Sequence, residues 1–243
     1  MICRAAQVLV GLLATLVPAL AEDSLDSAVA GRQLVAQLLA RHPLENYTNH
    51  GILKIKDGSG HRQEIPLRCE ITVTAANWST IYEATLGPNQ AARLEILHLD
   101  DRKVEYFFGS APSKVIDQEL MTPFAGSDFW IADLGLEFLQ WPGQKLLKKE
   151  VKRSRGCSVI ESTNPQPGTG GYSRVVSWID TESGGIVQAF AYDANNQLLK
   201  EFYPKDFKKV NGQWQVGQME MENDQTGSRT RLEMEFNDAL PQK

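Results

Sequence analysis

The sequence predicts an α+β protein that is mainly β. It should form one antiparallel sheet of about eleven strands, curled so that two apolar helical segments cover or plug its concave face. Three observations carry this expectation. From Tyr47 onward most of the chain alternates apolar and polar residues with a period of two. The alternating runs are joined by turns too short for the crossover helices that parallel strands need. Only two stretches, one near the N-terminus and one mid-chain, have helical character, too few to lay a second layer over so large a sheet.

Composition supports one globular core. The 243 residues are 42% hydrophobic and 23% charged, and a β-rich chain of this length commonly stays undivided. Lys plus Arg number 25 against 30 Asp plus Glu, a formal charge of −5 with no basic run. That balance argues against nucleic acid, whose phosphates demand clustered cations, and against electrostatic docking to an anionic leaflet. Any membrane contact would have to be hydrophobic and transient, with no permanent insertion.

The first element is read as a leader. Arg4 is the only charge before Glu22, and it precedes the apolar run Val8 to Val17, shorter than the roughly 20 residues a spanning helix needs. Pro18 and the small-x-small site Ala19-Leu20-Ala21 predict cleavage before Glu22. Residues 1–21 are therefore expected to be removed, leaving 22–243 as a single domain exported across a membrane. Cys3 lies before the apolar run, so it offers no site for an acyl anchor.

Ser24 is then expected to cap a helix reaching about Ala40, whose Leu25, Val29, Leu34, Leu38 and Leu39 form an apolar stripe. The alternation is plainest where Ile65, Leu67, Cys69, Ile71 and Val73 interleave with Glu64, Arg68, Glu70, Thr72 and Thr74. Asp57-Gly58-Ser59-Gly60 and Gly87-Pro88-Asn89 read as the tight turns of an antiparallel meander. Between Pro112 and Pro142 the alternation stops, and Ser127 is expected to cap a short helix that is apolar almost all round. Gly135 within it weakens a rigid helix and predicts mobility. After Pro142 strands resume, Asn211-Gly212 marks a hairpin, and Thr230, Leu232, Met234 and Phe236 face inward on the last strand.

Chemistry-bearing motifs are sparse. Cys69 and Cys157 suit either a disulfide, in an oxidising compartment, or two small buried hydrophobes. The four histidines lack metal-site spacing, and no nucleophile elbow, zinc helix or phosphate loop follows a strand. No metal, cofactor or catalytic residue is expected. The acid pairs Asp100 with Asp101 and Glu220 with Glu222 read as solvated.

Several short motifs nevertheless recur in a known order. The run Met121-Thr-Pro-Phe-Ala-Gly-Ser-Asp-Phe129, then Asp133-Leu134 and Trp141-Pro142, resembles the outer-membrane lipoprotein-sorting family, the LolA/LolB-like periplasmic carriers. Cys157-Ser-Val-Ile-Glu161, Tyr172-Ser-Arg-Val175, Trp178-Ile-Asp180, Tyr192-Asp193, Leu199-Lys200, Met221-Glu-Asn223 and Thr226-Gly227 extend the likeness. The resemblance implies a half-open antiparallel barrel closed by helices, whose apolar interior takes up lipoprotein acyl chains, with no bond made or broken. It also implies two docking partners, an inner-membrane release complex and an outer-membrane acceptor. The missing lipobox favours a soluble carrier over an anchored acceptor.

On this reading the protein is a periplasmic carrier moving acyl chains of lipoproteins or related lipids from inner to outer membrane. The cavity wall is expected to include Ile65, Leu67, Ile71, Val73, Leu232, Met234 and Phe236, and the lid Phe124, Phe129, Trp130, Leu134 and Phe138. The same residues would serve a lipid sensor reporting to an envelope protein, or an ordinary filled core without a cavity.

Overall fold

The computed structural model describes residues 18–99, 103–210 and 213–236. Helix α1 (Pro18–Leu39) leads into β1 (Tyr47–Lys56), β2 (Arg62–Val73), β3 (Trp78–Gly87), β4 (Gln90–His98), β5 (Val104–Phe108) and the two-residue β6 (Ser113–Lys114). After a connecting segment with one α-helical turn, α2 (Ile131–Leu134), come β7 (Gly143–Lys152), β8 (Arg155–Thr163) and β9 (Arg174–Asp180). The chain ends through β10 (Ile186–Tyr192), β11 (Leu198–Val210), β12 (Gln213–Asn223) and β13 (Ser228–Glu235).

The thirteen strands form one antiparallel sheet in the order β6-β5-β4-β3-β2-β1-β13-β12-β11-β10-β9-β8-β7. It is a pair of meanders, β1–β6 and β7–β13, sharing a single junction where β1 pairs with β13 in the register Leu53 to Leu232. The remaining edges, β6 and β7, are left unpaired, so the barrel is half open, as expected. Local chemistry sets the turns: the Asp57 carboxylate accepts the Ser59 and His61 backbone N–H groups at 3.0 and 2.9 Å, closing the β1–β2 hairpin.

The segment joining β6 to β7 starts at one open edge and ends at the other. On the way it crosses the concave face and fills it. Here the sequence expectation needs correction: no single helix capped by Ser127 forms. The chain folds instead as 3₁₀ turns at Asp117–Glu119, Phe124–Gly126 and Glu137–Leu139 around α2, which starts after Trp130. Positive φ at Ala125 (53°) and Leu136 (50°) interrupts regular helix, and Leu136 holds that conformation against a steric cost of about 1–2 kcal/mol. Gly135 has no room for a side chain, since a β-carbon there would meet the Tyr106 ring.

Two apolar clusters result. Leu53, Leu67, Leu94 and Ile96 of the first meander pack with Phe124, Phe129 and Ile131 of the segment. Ile160, Val175, Ile179 and Ala189 of the second pack with Phe138, Leu139, Trp141 and Val35 of α1. A third cluster, Cys157, Val159, Val176, Trp178 and Val187, lies on the convex side of β8–β10.

Of the two readings of the cysteines, the structure takes the second. Cys69 and Cys157 are both free and buried. Cys69 follows the inward alternation of Leu67 and Ile71 on β2, whereas Cys157 lies in the convex cluster of β8, with six strands between theirs in the sheet. Burial pushes the Cys69 thiol up to about 12. The leader lies outside the described residues as far as residue 17, and the expected junction after Ala21 falls within α1, which begins before the expected Ser24 cap. Asp100, Asp101 and the Asn211-Gly212 turn also lie outside the described residues. Among the described residues no helix is long and apolar enough to cross a membrane.

Helix α1 packs directly on the β7 edge. A β-carbon at Gly31 would stand 2.8 Å from the Lys145 and Leu146 backbone. Gly31→Ala should therefore push α1 off the edge and lower stability by about 1–3 kcal/mol in urea denaturation, the usual cost of overpacking.

Candidate functional site

The site is the boundary between the crossing segment and the sheet. Its centre is Lys200 on β11, whose side chain is only 1% exposed. The ammonium donates to the Asp128 carbonyl at 2.6 Å and to the Asp133 carboxylate at 3.3 Å, and lies 3.4 Å from the centre of the Trp130 ring. Trp130 stacks in turn on Tyr172, with centroids 4.8 Å apart. Asp133 accepts three hydrogen bonds, from Lys200, from the Trp130 backbone N–H at 2.8 Å and from the Tyr172 hydroxyl at 2.8 Å.

A second anchor holds the N-terminal part of the segment. The Asp128 backbone N–H donates to Thr230 Oγ1 at 2.9 Å, while the Thr230 and Ser228 hydroxyls donate to the Asp128 carboxylate. Further along, the Tyr106 hydroxyl donates to Glu137 at 2.8 Å, and the Gln144 amide donates to the Phe138 and Trp141 carbonyls at 2.9 and 2.8 Å. The segment is thus tied to β5, β7, β11 and β13 by polar contacts at its rim and by apolar packing beneath.

These contacts shift proton affinities. Burial lowers the Lys200 ammonium to about 8, outweighing the opposing pull of Asp133 and Asp128. Burial raises the Tyr172 hydroxyl well above its usual range, with the Asp133 charge adding to it. Burial also raises the Glu137 carboxyl, helped by the nearby charge of Asp117.

Beneath the segment is a small apolar pocket of about 30 Å³, lined by Leu136, Phe138, Tyr172, Lys200, Phe202 and Met221 among others. Ligand pockets run to about 300–1,000 Å³, so the hollow suggested by the sequence is closed in this structure. A cleft of about 920 Å³ lies on the other side of a thin partition. Leu136, Phe138 and Tyr172 face the pocket, whereas their neighbours Glu137 and Gly171 line the cleft.

The residues picked from the sequence are mostly brought together here. Ile65, Leu67, Phe124, Phe129 and Leu232 share the first cluster, with Leu134 and Met234 packed against it. Phe138 and Trp130 belong to the second. Ile71 is buried on β2 outside both clusters, and Val73 is half-buried at the rim of a 280 Å³ cleft beside Trp78 and His98. Phe236 joins neither cluster and lies by Lys208 and Gly217.

Sequence reasoning missed the polar residues. Lys200, Asp133, Tyr172 and Asp128 all stand in the short motifs quoted above, but as turn and strand chemistry. A Lys sharing the inward register of Phe202 was the available signal. Glu220 is likewise corrected: it is 1% exposed rather than solvated, and it is held by Arg231 at 2.9 Å and Lys205 at 3.1 Å.

The curled antiparallel half-barrel is a fold that this chain shares with several solved structures. A putative outer membrane lipoprotein-sorting protein domain from Vibrio parahaemolyticus is similar over 89% of this chain and 95% of its own, with TM-score 0.73 and 18% identity. A DUF1329 family protein from Desulfovibrio piger gives 0.70 and 17%, and a LolA superfamily protein from Nitrosomonas europaea 0.57 and 15%, each again over 89% and 95% of the two chains. The chain belongs to the family whose model, "-like: Uncharacterized protein", matches residues 87–243. A search of curated proteins finds no match.

Lys200 gives the site a measurable pH signature. Its proton affinity is depressed on folding, so between about pH 8 and 10 the unfolded chain holds a proton that the folded chain has lost. Stability contributed by this group should rise across that window, with a slope below about 1.4 kcal/mol per pH unit. Denaturation of wild type and Lys200→Met from pH 7 to 10 should show their stability difference shift in favour of the wild type above about pH 8, because the opposing contributions of the raised Cys69 and Tyr172 groups are common to both.

Proposed function

We propose that this protein is a soluble periplasmic carrier that takes up the acyl chains of lipoproteins, or of related lipids, and moves them from inner to outer membrane without chemistry. The observation that carries this reading is that the apolar concave face is covered by the connection between the two meanders instead of by a second layer. Transfer of an acyl chain through water costs about 0.8 kcal/mol per methylene, so a carrier must provide an apolar lining. The lining is present, and its cover is the part of the chain least built into the sheet.

Magnitudes limit how far the cover moves. Withdrawing the whole segment would expose Phe124, Phe129, Ile131, Phe138 and Leu139 at about 1.5–3 kcal/mol each, on the order of 10 kcal/mol together. That is about what one chain of a dozen carbons returns. A smaller motion of α2 and the Glu137–Leu139 turn exposes far less and still opens the pocket toward the cleft. The Asp128 anchor and Phe124 then stay in place as the fixed end.

Export follows from the leader read over residues 1–21, and the proposed docking partners are a release complex at the inner membrane and an acceptor at the outer. Native mass spectrometry of protein purified from a bacterial periplasm tests the reading. Bound lipid, or uptake of acyl ligand when supplied, supports it; an empty protein that takes up none overturns it. Transfer of a lipoprotein to an acceptor distinguishes a carrier from a sensor that binds without delivering.

The closed state also predicts a direction of change. Tyr106→Phe removes the hydrogen bond that holds Glu137 on the moving turn and should cost about 1–3 kcal/mol of stability. It should also speed acyl uptake, read as a faster approach to the loaded mass in a time-resolved experiment.

A further inference from the structure

The Lys200 ammonium is held by the Asp133 carboxylate, which the proposed opening displaces, and by the Asp128 carbonyl at the end of the segment that stays in place. Lys200 itself belongs to β11, paired on both sides within the sheet. Its acceptors, the Asp128 carbonyl and the Asp133 carboxylate, and the Trp130 face against it all lie on the crossing segment. Among the described residues Asp133 is its one carboxylate partner. Glu220, another deeply buried ion, is different, because Lys205 and Arg231 hold it from β11 and β13 and no motion of the segment disturbs them.

Opening therefore takes the carboxylate partner from a buried cation and leaves it the Asp128 carbonyl, beside a pocket whose remaining wall includes Tyr172 with the apolar Val175, Phe202 and Met221. An unpaired charge in such surroundings is strongly disfavoured. A purely hydrocarbon ligand does nothing to relieve it, whereas one carrying an oxyanion does.

We infer that Lys200 is a head-group residue of the cavity, taking an oxyanion of the acyl cargo, carboxylate or phosphate, in exchange for Asp133 as the segment swings away. This rests on the carrier reading and adds a chemical selection to it. One buried ion pair replaces another at Lys200, and the displaced Asp133 carboxylate leaves with the segment to be solvated in the cleft. The exchange also makes loading and closure compete for a single ammonium, since Asp133 and the head group cannot both occupy the same face.

The test uses four probes with the same twelve-carbon chain, each below its micelle concentration: laurate, dodecyl phosphate, dodecanol and dodecylamine. Isothermal titration at pH 7 should show the two oxyanions binding about tenfold or more tightly than dodecanol, the discrimination one charge-assisted hydrogen bond supplies, with dodecylamine weakest. Lys200→Met should bring laurate and dodecanol to within about twofold while keeping dodecanol binding. Asp133→Asn, which removes the competitor and leaves Lys200, should tighten laurate several-fold and keep the preference. If Lys200→Met does not fold, Asp133→Asn decides, and unchanged laurate affinity overturns the inference. Equal binding of laurate and dodecanol by the wild type overturns it while leaving the carrier reading intact; failure of all four probes overturns both. Laurate against dodecyl phosphate distinguishes a fatty acid from a phospholipid source.

Discussion

A curled sheet with one apolar face has to hide that face from water, and this molecule does so with the connection between its two halves. The meanders β1–β6 and β7–β13 meet only at the β1–β13 pair, so the two unpaired edges lie at opposite ends of the strand order. The chain passes from one edge to the other over the concave side. Phe124 and Phe129 settle on the first meander and Phe138 and Leu139 on the second, and Met121 and Phe202 touch both clusters. The same residues that complete the core are therefore the ones that would have to yield to a ligand.

Apolar packing gives the crossing segment its adhesion but not its position, because a greasy strip can slide over a greasy face at little cost. Position comes from directional contacts. Asp128 is fixed to Ser228 and Thr230, Asp133 to Lys200 and Tyr172, Glu137 to Tyr106, and the carbonyls of Phe138 and Trp141 to Gln144. A buried ion pair such as Lys200 with Asp133 adds little net stability over apolar substitutes, yet breaking it by removing one partner is costly. It acts as a register pin, fixing the segment to β11 at one side chain.

Much of this architecture was legible in the sequence because sheets write themselves with a period of two. The turn at Asp57, the inward row Ile65, Leu67, Cys69 and Ile71, and the strand ending in Leu232 and Met234 fell where alternation placed them. The mid-chain segment was harder. Its apolar residues suit a helix, but Gly135, the left-handed Leu136 and the turn at Ala125 and Gly126 reflect tertiary demands that no local pattern records. Lys200 and Glu220 were missed for a related reason: a charged residue in a strand is ordinarily solvated, and only the partners, distant in sequence, show that these two are not. The motifs Ser127-Asp-Phe129, Asp133-Leu134, Tyr172 and Leu199-Lys200 look unrelated along the chain and meet at one point in space.

The open seam explains why such a design avoids a closed barrel. Closure by pairing β6 with β7 would remove both edges, but it would also fix the wall against the segment that runs between them and leave no path for a bulky ligand. An open seam keeps the path and exposes edges that invite aggregation. The molecule answers this at each edge separately. β6 is only two residues long, too short to template another strand. β7 is covered on one stretch by α1, whose Gly31 lets the helix backbone lie against Lys145 and Leu146, and is studded elsewhere with the exposed Lys148 and Lys149. Edge protection by brevity, cover and charge leaves the seam unpaired yet safe, and the segment that bridges it remains a connection rather than a strand of the wall.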